Sequence, residues 1–346
     1  MRQSHHASRQ GITLKATGAV VAALLLLALA GWHGVPTTAA TSPATLVATT
    51  ASGFPVTIHD CGVTTTYTAP PTRVVTLYPP TTEMMLELGL SRPIIGISGA
   101  AEGQPSIPAL LAAYKKLPVL SKAGKISKEV LLSAHPDFVF DNEPDYFYNA
   151  SEGFATQQQL RAAGAKIYTL TPRCHGNNPT ATVQDIYADL LTLGRIFGVS
   201  ARAQAVVARM RAMVADVQRR VAGRTPLRVL LYSEGQGPID VFSSGIYNDE
   251  LRLAGVRNAV TNPSKDFEMI SKEEVAASNP DAIIDLDYPG KSVTADRQFL
   301  LRTFPTTAAA LHKRIFVVLY QRVNPGVENP LAIQDIARAL YPDAFK

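Results

Sequence analysis

The chain carries one pattern twice, 144 residues apart. Residues 126–141 read Ile-Ser-Lys-Glu-Val-Leu-Leu-Ser-Ala-His-Pro-Asp-Phe-Val-Phe-Asp, and residues 270–285 read Ile-Ser-Lys-Glu-Glu-Val-Ala-Ala-Ser-Asn-Pro-Asp-Ala-Ile-Ile-Asp. They align without a gap and share Ile, Ser, Lys, Glu, Pro, Asp and the final Asp. That spacing is far too long for a solenoid repeat and suits the length of a domain, so the chain reads as two similar lobes.

Each copy has a local physical logic. Ser127 and Ser271 are N-cap candidates, because a serine oxygen can accept from the unpaired amides of a first helical turn. Ser271 with Glu274 also has capping-box spacing, whereas Ser127 faces Val130. Glu129 and Glu273 fall in the first turn, where carboxylates favour the positive helix end. Pro136 and Pro280 stop the helix. A short apolar run follows in each copy, as expected of a buried strand. The unit is therefore cap, short helix, Pro-Asp turn, strand.

The ends of the chain bear on where it works. A basic start followed by an apolar run from Ala16 to Ala30 is a secretory signal pattern. We assign residues 1–40 to a signal peptide, with cleavage after Ala30 or Ala40. The run is short for a full membrane span, although an uncleaved anchor is the alternative. Trp32 follows Ala30-Gly31, so no cysteine stands there for lipid attachment. The first 40 residues hold Arg2, Arg9, Lys15 and no acid, so three of the five net positive charges belong to the leader and +2 remains on the rest. With no basic stripe or nucleic-acid motif, nucleic acid is not an expected partner. Export also bears on the two cysteines. In an oxidising compartment Cys61 and Cys174 are expected to form a disulfide, with unlinked thiols or a Cys174/His175 metal site as alternatives.

Residues 41–55, rich in Thr, Ala, Ser and Pro, read as a flexible linker. An N-terminal α/β lobe is expected over 56–198, beginning with an edge strand or arm around Cys61. Arg73 to Leu77, the helix Met84 to Leu88, and Ile94 to Ile97 make a βαβ unit. Residues 180–222 read as helical apart from a break at Gly198-Val199-Ser200, with Ser200 as a cap. The stripe Ala203, Val206, Val207, Met210, Val214, Val217 and Val221 is spaced by threes and fours. A helix over 199–223 would reach about 30 Å and can join two lobes. The strand-and-helix pattern then restarts in a C-terminal α/β lobe, 224–346. Alternating strands and helices imply mostly parallel sheets covered on both faces.

No phosphate-binding loop, nucleophile elbow, HExxH or paired CxxC is present. His59, His135, His175 and His312 are scattered, and His135 occupies the pre-proline turn that holds Asn279 in the second copy, so no metal site is assigned. In open α/β sheets ligands bind beyond the strand C-ends. The residues there are Tyr78, Tyr146, Tyr148, Arg173, Glu234, Asp287, Tyr288, Tyr320 and Arg322. Tyrosine offers a flat apolar face with a polar tip, and arginine a fork for oxyanions. We take these nine as the candidate ligand-binding cleft.

Arg73-Val74-Val75-Thr76-Leu77-Tyr78-Pro79-Pro80-Thr81-Thr82-Glu83, followed by Leu88-Gly89-Leu90, resembles the opening of ABC-importer substrate-binding proteins of the vitamin B12 and ferric-siderophore type. The two Ser-Lys-Glu…Pro-Asp units, the long central helix and Tyr341-Pro342 resemble that family too, over residues 56–346. The resemblance implies two α/β lobes joined by a rigid helix, one ligand in the cleft, a monomer, and no catalysis or resident cofactor. It implies an exported protein whose ligand is a metal chelate, a ferric siderophore first, with cobalamin, haem or another large anionic cofactor as alternatives. It also implies that Glu129 and Glu273 meet arginines of an ABC importer permease. Two readings of other classes stay open, an exported enzyme on a two-lobed scaffold and a sensing domain held by an uncleaved leader.

Overall fold

The computed structural model describes residues 53–346 apart from 175 and 177. The signal peptide, most of the linker and His175 lie outside the described residues. Two strands open the fold, β1 (Val56–Asp60) and β2 (Val63–Tyr67), paired antiparallel. Cys61 and Gly62 make the turn between them with φ of 45° and 77°. Positive φ at both positions of a two-residue loop suits the twist of a hairpin.

The first lobe holds a four-stranded parallel sheet. Its strands are β3 (Val74–Thr76), β4 (Ile94–Ile97), β5 (Phe138–Asp141) and β6 (Lys166–Thr169), in the order β4-β3-β5-β6. The second lobe holds β7 (Arg228–Glu234), β8 (Ile239–Phe242), β9 (Arg257–Asn258), β10 (Phe267–Ile270), β11 (Ala282–Asp287) and β12 (Ile315–Leu319). Its order is β10-β8-β7-β11-β12, with β9 beside β7. β7, β11, β12 and β9 pair in parallel, whereas β8 and β10 are antiparallel. Sequence pattern gave no strand at β10. It is a short edge strand whose Phe267 and Met269 are exposed, so it lacks the continuous apolar run of a buried strand.

The duplicated unit takes the same form in both lobes. Ser127 accepts from the Val130 amide, and Ser271 forms a reciprocal capping box with Glu274. His135 and Asn279 both adopt left-handed backbone, with φ of 46° and 39°. Histidine and asparagine are among the residues that tolerate this region, so His135 is a turn residue. The aspartate of each Pro-Asp pair then reaches the neighbouring strand. Asp137 accepts from the Thr72 and Arg73 amides, and Asp281 from the Arg228 amide. Each repeat thus satisfies the backbone at the entry to β3 or β7, a role that spacing alone did not reveal.

Helices Val183–Ile196 and Ser200–Val221 pack together, and the second also packs on the C-terminal helix Asn329–Leu340. All seven positions of the apolar stripe are buried. Fully burying an aliphatic side chain is worth about 1.5–3 kcal/mol, so this seam ties the long helix to both lobes. Ser200 is the first helical residue and Val199 the cap position, without a side-chain cap. The chain turns at Gly198, φ 69°, one residue earlier than a serine cap would require. Among the described residues no helix is long and apolar enough to cross a membrane.

Candidate functional site

A cavity of about 720 Å³ opens between the lobes. The C-ends of β5 and β6 bring Glu143, Asp145 and Arg173 to one side. The C-ends of β7, β8, β11 and β12 bring Glu234, Phe242, Tyr288 and Tyr320 to the other, with Phe267 from the start of β10. Its size falls within the range of small-molecule sites. The second-lobe wall is aromatic. Tyr288 and Tyr320 lie 4.3 Å apart by ring centroid, Phe242 is nearly parallel to Tyr320 at 6.2 Å, and Phe267 sits 5.4 Å from Phe242. Ser233 hydrogen-bonds the Tyr288 hydroxyl, and half-buried Lys291 donates to the Ser233 carbonyl at 2.6 Å and to Asp285 at 2.5 Å. These bonds hold the loop after β11 against its strand. Asp285 is pushed up to about 6, chiefly by burial.

Arg173 crosses from the first lobe to the second. Its guanidinium donates to the Tyr247 hydroxyl at 2.7 Å and to Asp266 at 3.3 Å. Burial opposes its charge, but Tyr247, Glu143, Tyr320 and Asp266 outweigh that and raise its pKa. Among the described residues its buried Nε has no protein partner, which leaves one donor for a bound molecule. The loop that carries it is secured from below. Asp189 accepts from the Thr171 amide and hydroxyl at 3.0 and 2.6 Å, and from the Tyr168 hydroxyl at 2.7 Å. Asp60 accepts from the Thr169 amide, and Asp141 from the Thr169 hydroxyl. Cys174, the next residue after Arg173, is disulfide-bonded to Cys61 of the hairpin.

Tyr78 is a strained residue beside this cleft. It has φ 83° and ψ 149°, a region populated essentially by glycine. Ser98 accepts from its amide, and Thr81 donates to its carbonyl, so the surroundings hold the conformation. Burial first, then the nearness of Tyr320, Glu102 and Glu143, raises the pKa of its phenol. Tyr78→Gly is expected to be about 1 kcal/mol more stable than Tyr78→Ala, the reverse of the usual order, because only glycine relieves the strain. Urea denaturation of the two variants measures this, and alanine proving the more stable would remove the strain from the account.

Of the nine cleft candidates, Arg173, Glu234, Tyr288 and Tyr320 line the cavity, with Tyr78 adjacent to it. Four do not line it. Tyr148 turns its hydroxyl to buried Asp141 at 2.7 Å. Tyr146 is exposed, packed edge-on against Phe147 and capped by Lys125. Asp287 precedes Tyr288, and adjacent residues of an extended segment point opposite ways. Arg322 bonds Asp335 and Ser106 in the contact between lobes, where Glu328 also receives the Ser106 and Ile107 amides. Glu143, Asp145, Phe242, Lys265, Asp266 and Phe267 line the cleft without having been singled out. Two of them, Glu143 and Asp145, belong to the same acidic and aromatic loop after β5 as the candidates Tyr146 and Tyr148.

Residues 74–318 match the family model described as periplasmic binding protein. The chain belongs to the periplasmic binding protein family. It is 25% identical over 304 residues to the ABC transporter substrate-binding lipoprotein YvrC of Bacillus subtilis, covering 85% of this chain and 88% of that one. It is 26% identical over 250 residues to a cobalamin-binding protein of Halobacterium salinarum, covering 71% of this chain and 61% of that one. The crystal structure of a periplasmic binding protein from Veillonella parvula superposes with a TM-score of 0.74 at 27% identity, covering 83% of this chain and 97% of that chain. As a periplasmic binding protein the chain places its cleft between two mostly parallel sheets. Glu129 and Glu273 both lie exposed in first helical turns, away from the cavity lining. Among the described residues the one cluster close enough to hold a metal is Asp60, Cys61 and Cys174, and its two sulfurs are bonded to each other.

Proposed function

We propose that this periplasmic binding protein is exported, captures a metal chelate between its lobes as a monomer, and delivers it to an ABC importer. The observation that carries this is the cavity at the strand C-ends of both sheets, with an aromatic wall on the second lobe and charged side chains from both lobes. A ferric siderophore is the first candidate. A corrinoid is the second, favoured by the similarity to a cobalamin-binding protein. Binding without turnover accords with the site, since Arg173 is engaged by Asp266 and Tyr247 rather than set beside a nucleophile and base. Glu129 and Glu273 are assigned to permease docking, each at the same place in its repeat.

The test uses purified protein and cells carrying the importer. Glu129→Ala combined with Glu273→Ala is expected to leave chelate affinity within about twofold, because exposed charges far from a site couple weakly, and to abolish uptake. Uptake at the unsubstituted rate would reduce the two glutamates to helix-dipole support.

A further inference from the structure

Charge on the cleft is lopsided. Glu143 and Asp145 stand on the first lobe, and Glu234 and Asp266 on the second, against Arg173 and Lys265. Arg173 is already engaged with Asp266. Three exposed carboxylates, from both sides of the opening, therefore face one exposed ammonium. The same imbalance is felt by the cleft tyrosines. Glu143 and Asp266 raise the pKa of Tyr320, which burial first pushes up to about 12 although Arg173 opposes them. Beyond burial and Tyr320, Glu234 and Asp240 act the same way on Tyr288. Clefts lined by one sign of charge focus the field and concentrate ligands of the opposite sign. The wall behind these carboxylates is aromatic, and ring faces also attract positive charge.

We propose that the cleft selects neutral or cationic metal chelates and excludes polyanionic ones, with Glu143, Asp145 and Glu234 as the selecting residues. This rests on the chelate-capture function above and narrows it. A trihydroxamate iron complex or a corrinoid fits the lopsided charge. A tris-catecholate complex, or a porphyrin carrying two free carboxylates, meets repulsion from both lobes. Like-charge juxtaposition across an interface suppresses the wrong partner.

The test is isothermal titration of the full exported chain with four probes: cationic ferrioxamine B, neutral cyanocobalamin, cationic aquacobalamin and triply anionic ferric enterobactin. At least one neutral or cationic probe is expected to bind at least about tenfold more tightly than the trianion, from Coulomb attraction at partly screened distances. That gap is expected to shrink at high salt. It is also expected to shrink in the Glu143→Gln, Asp145→Asn, Glu234→Gln triple variant, whose changes are at exposed positions. Tightest binding of the trianion, or a gap untouched by the triple variant, would overturn the charge selection while leaving chelate capture standing. If none of the four binds, chelate capture fails and the selection with it.

Discussion

Replacing Cys61 and Cys174 together by serine is expected to lower the free energy of unfolding by about 4–5 kcal/mol, the loop-closure contribution for cysteines 113 residues apart. The bond ties the turn of the β1–β2 hairpin to the loop after β6. Without it the hairpin keeps Asp60 on the Thr169 amide, the bonds from Lys166 and Arg195 to the Thr66 and Thr57 carbonyls, and Val56, Ile58 and Tyr67 in the core. These contacts hold the hairpin in the folded state but, unlike the covalent link, do not restrict the unfolded chain. A second effect follows from position. Arg173 adjoins Cys174, so loosening this loop also disperses the guanidinium that spans the lobes. Affinity for the ligand of the cleft is therefore expected to fall alongside stability. Urea denaturation and ligand titration of the oxidised protein and of the double variant measure both. A loss below about 1 kcal/mol would mean that the disulfide adds little to the hydrogen bonds and core packing of the hairpin.

Raising the pH from about 5 to 8 is expected to destabilise the protein by a few kcal/mol, against the common pattern of loss on acidification. Burial pushes Asp141 and Asp189 up to about 7 and Asp60 up to about 6. Hydrogen bonds from Tyr148, Tyr168, Thr169 and Thr171 oppose these shifts without cancelling them. Each group holds a proton in the folded protein over a range where the unfolded chain, with aspartate near 3.8, has lost it. Their stabilisation is full below about pH 4 and disappears as the pH rises through 6 to 7. Buried Glu83 and Glu250 are raised by burial and act in the same direction. The carboxylates held low by arginine or by a helix cap, Asp216, Asp343 and Glu274, act only at the acid end. Urea midpoints at pH 5.5 and 8 should differ, and Asp141→Asn with Asp189→Asn should flatten the difference. A midpoint that rises with pH would contradict this account.

Sequence pattern reached far into the fold because the strongest signals were local. The serine caps, the proline stops and the threes-and-fours stripe from Ala203 to Val221 all rest on hydrogen bonds and burial within a few residues. The final aspartate of the repeat was visible as a carboxylate in an apolar run in both copies. Its burial as Asp141 and Asp285 was not deduced, because the partners Thr169 and Lys291 belong to other segments. β10 escaped notice because an edge strand needs only one covered face.

The sequence by itself determined that this chain is two related α/β lobes, where each duplicated unit begins and stops, and which strand ends offer ligand-type side chains. Those properties follow from periodicity and capping, which neighbouring residues settle among themselves. Tertiary structure alone decided which of those side chains face the cleft. Tyr148 and Arg322 were drawn away by Asp141 and Asp335, while Phe242, Asp266 and Phe267 were brought in by the pairing of β8 with β10. A side chain beyond a strand end has no periodicity to direct it, so its orientation is set by whichever distant partner satisfies its polar atoms.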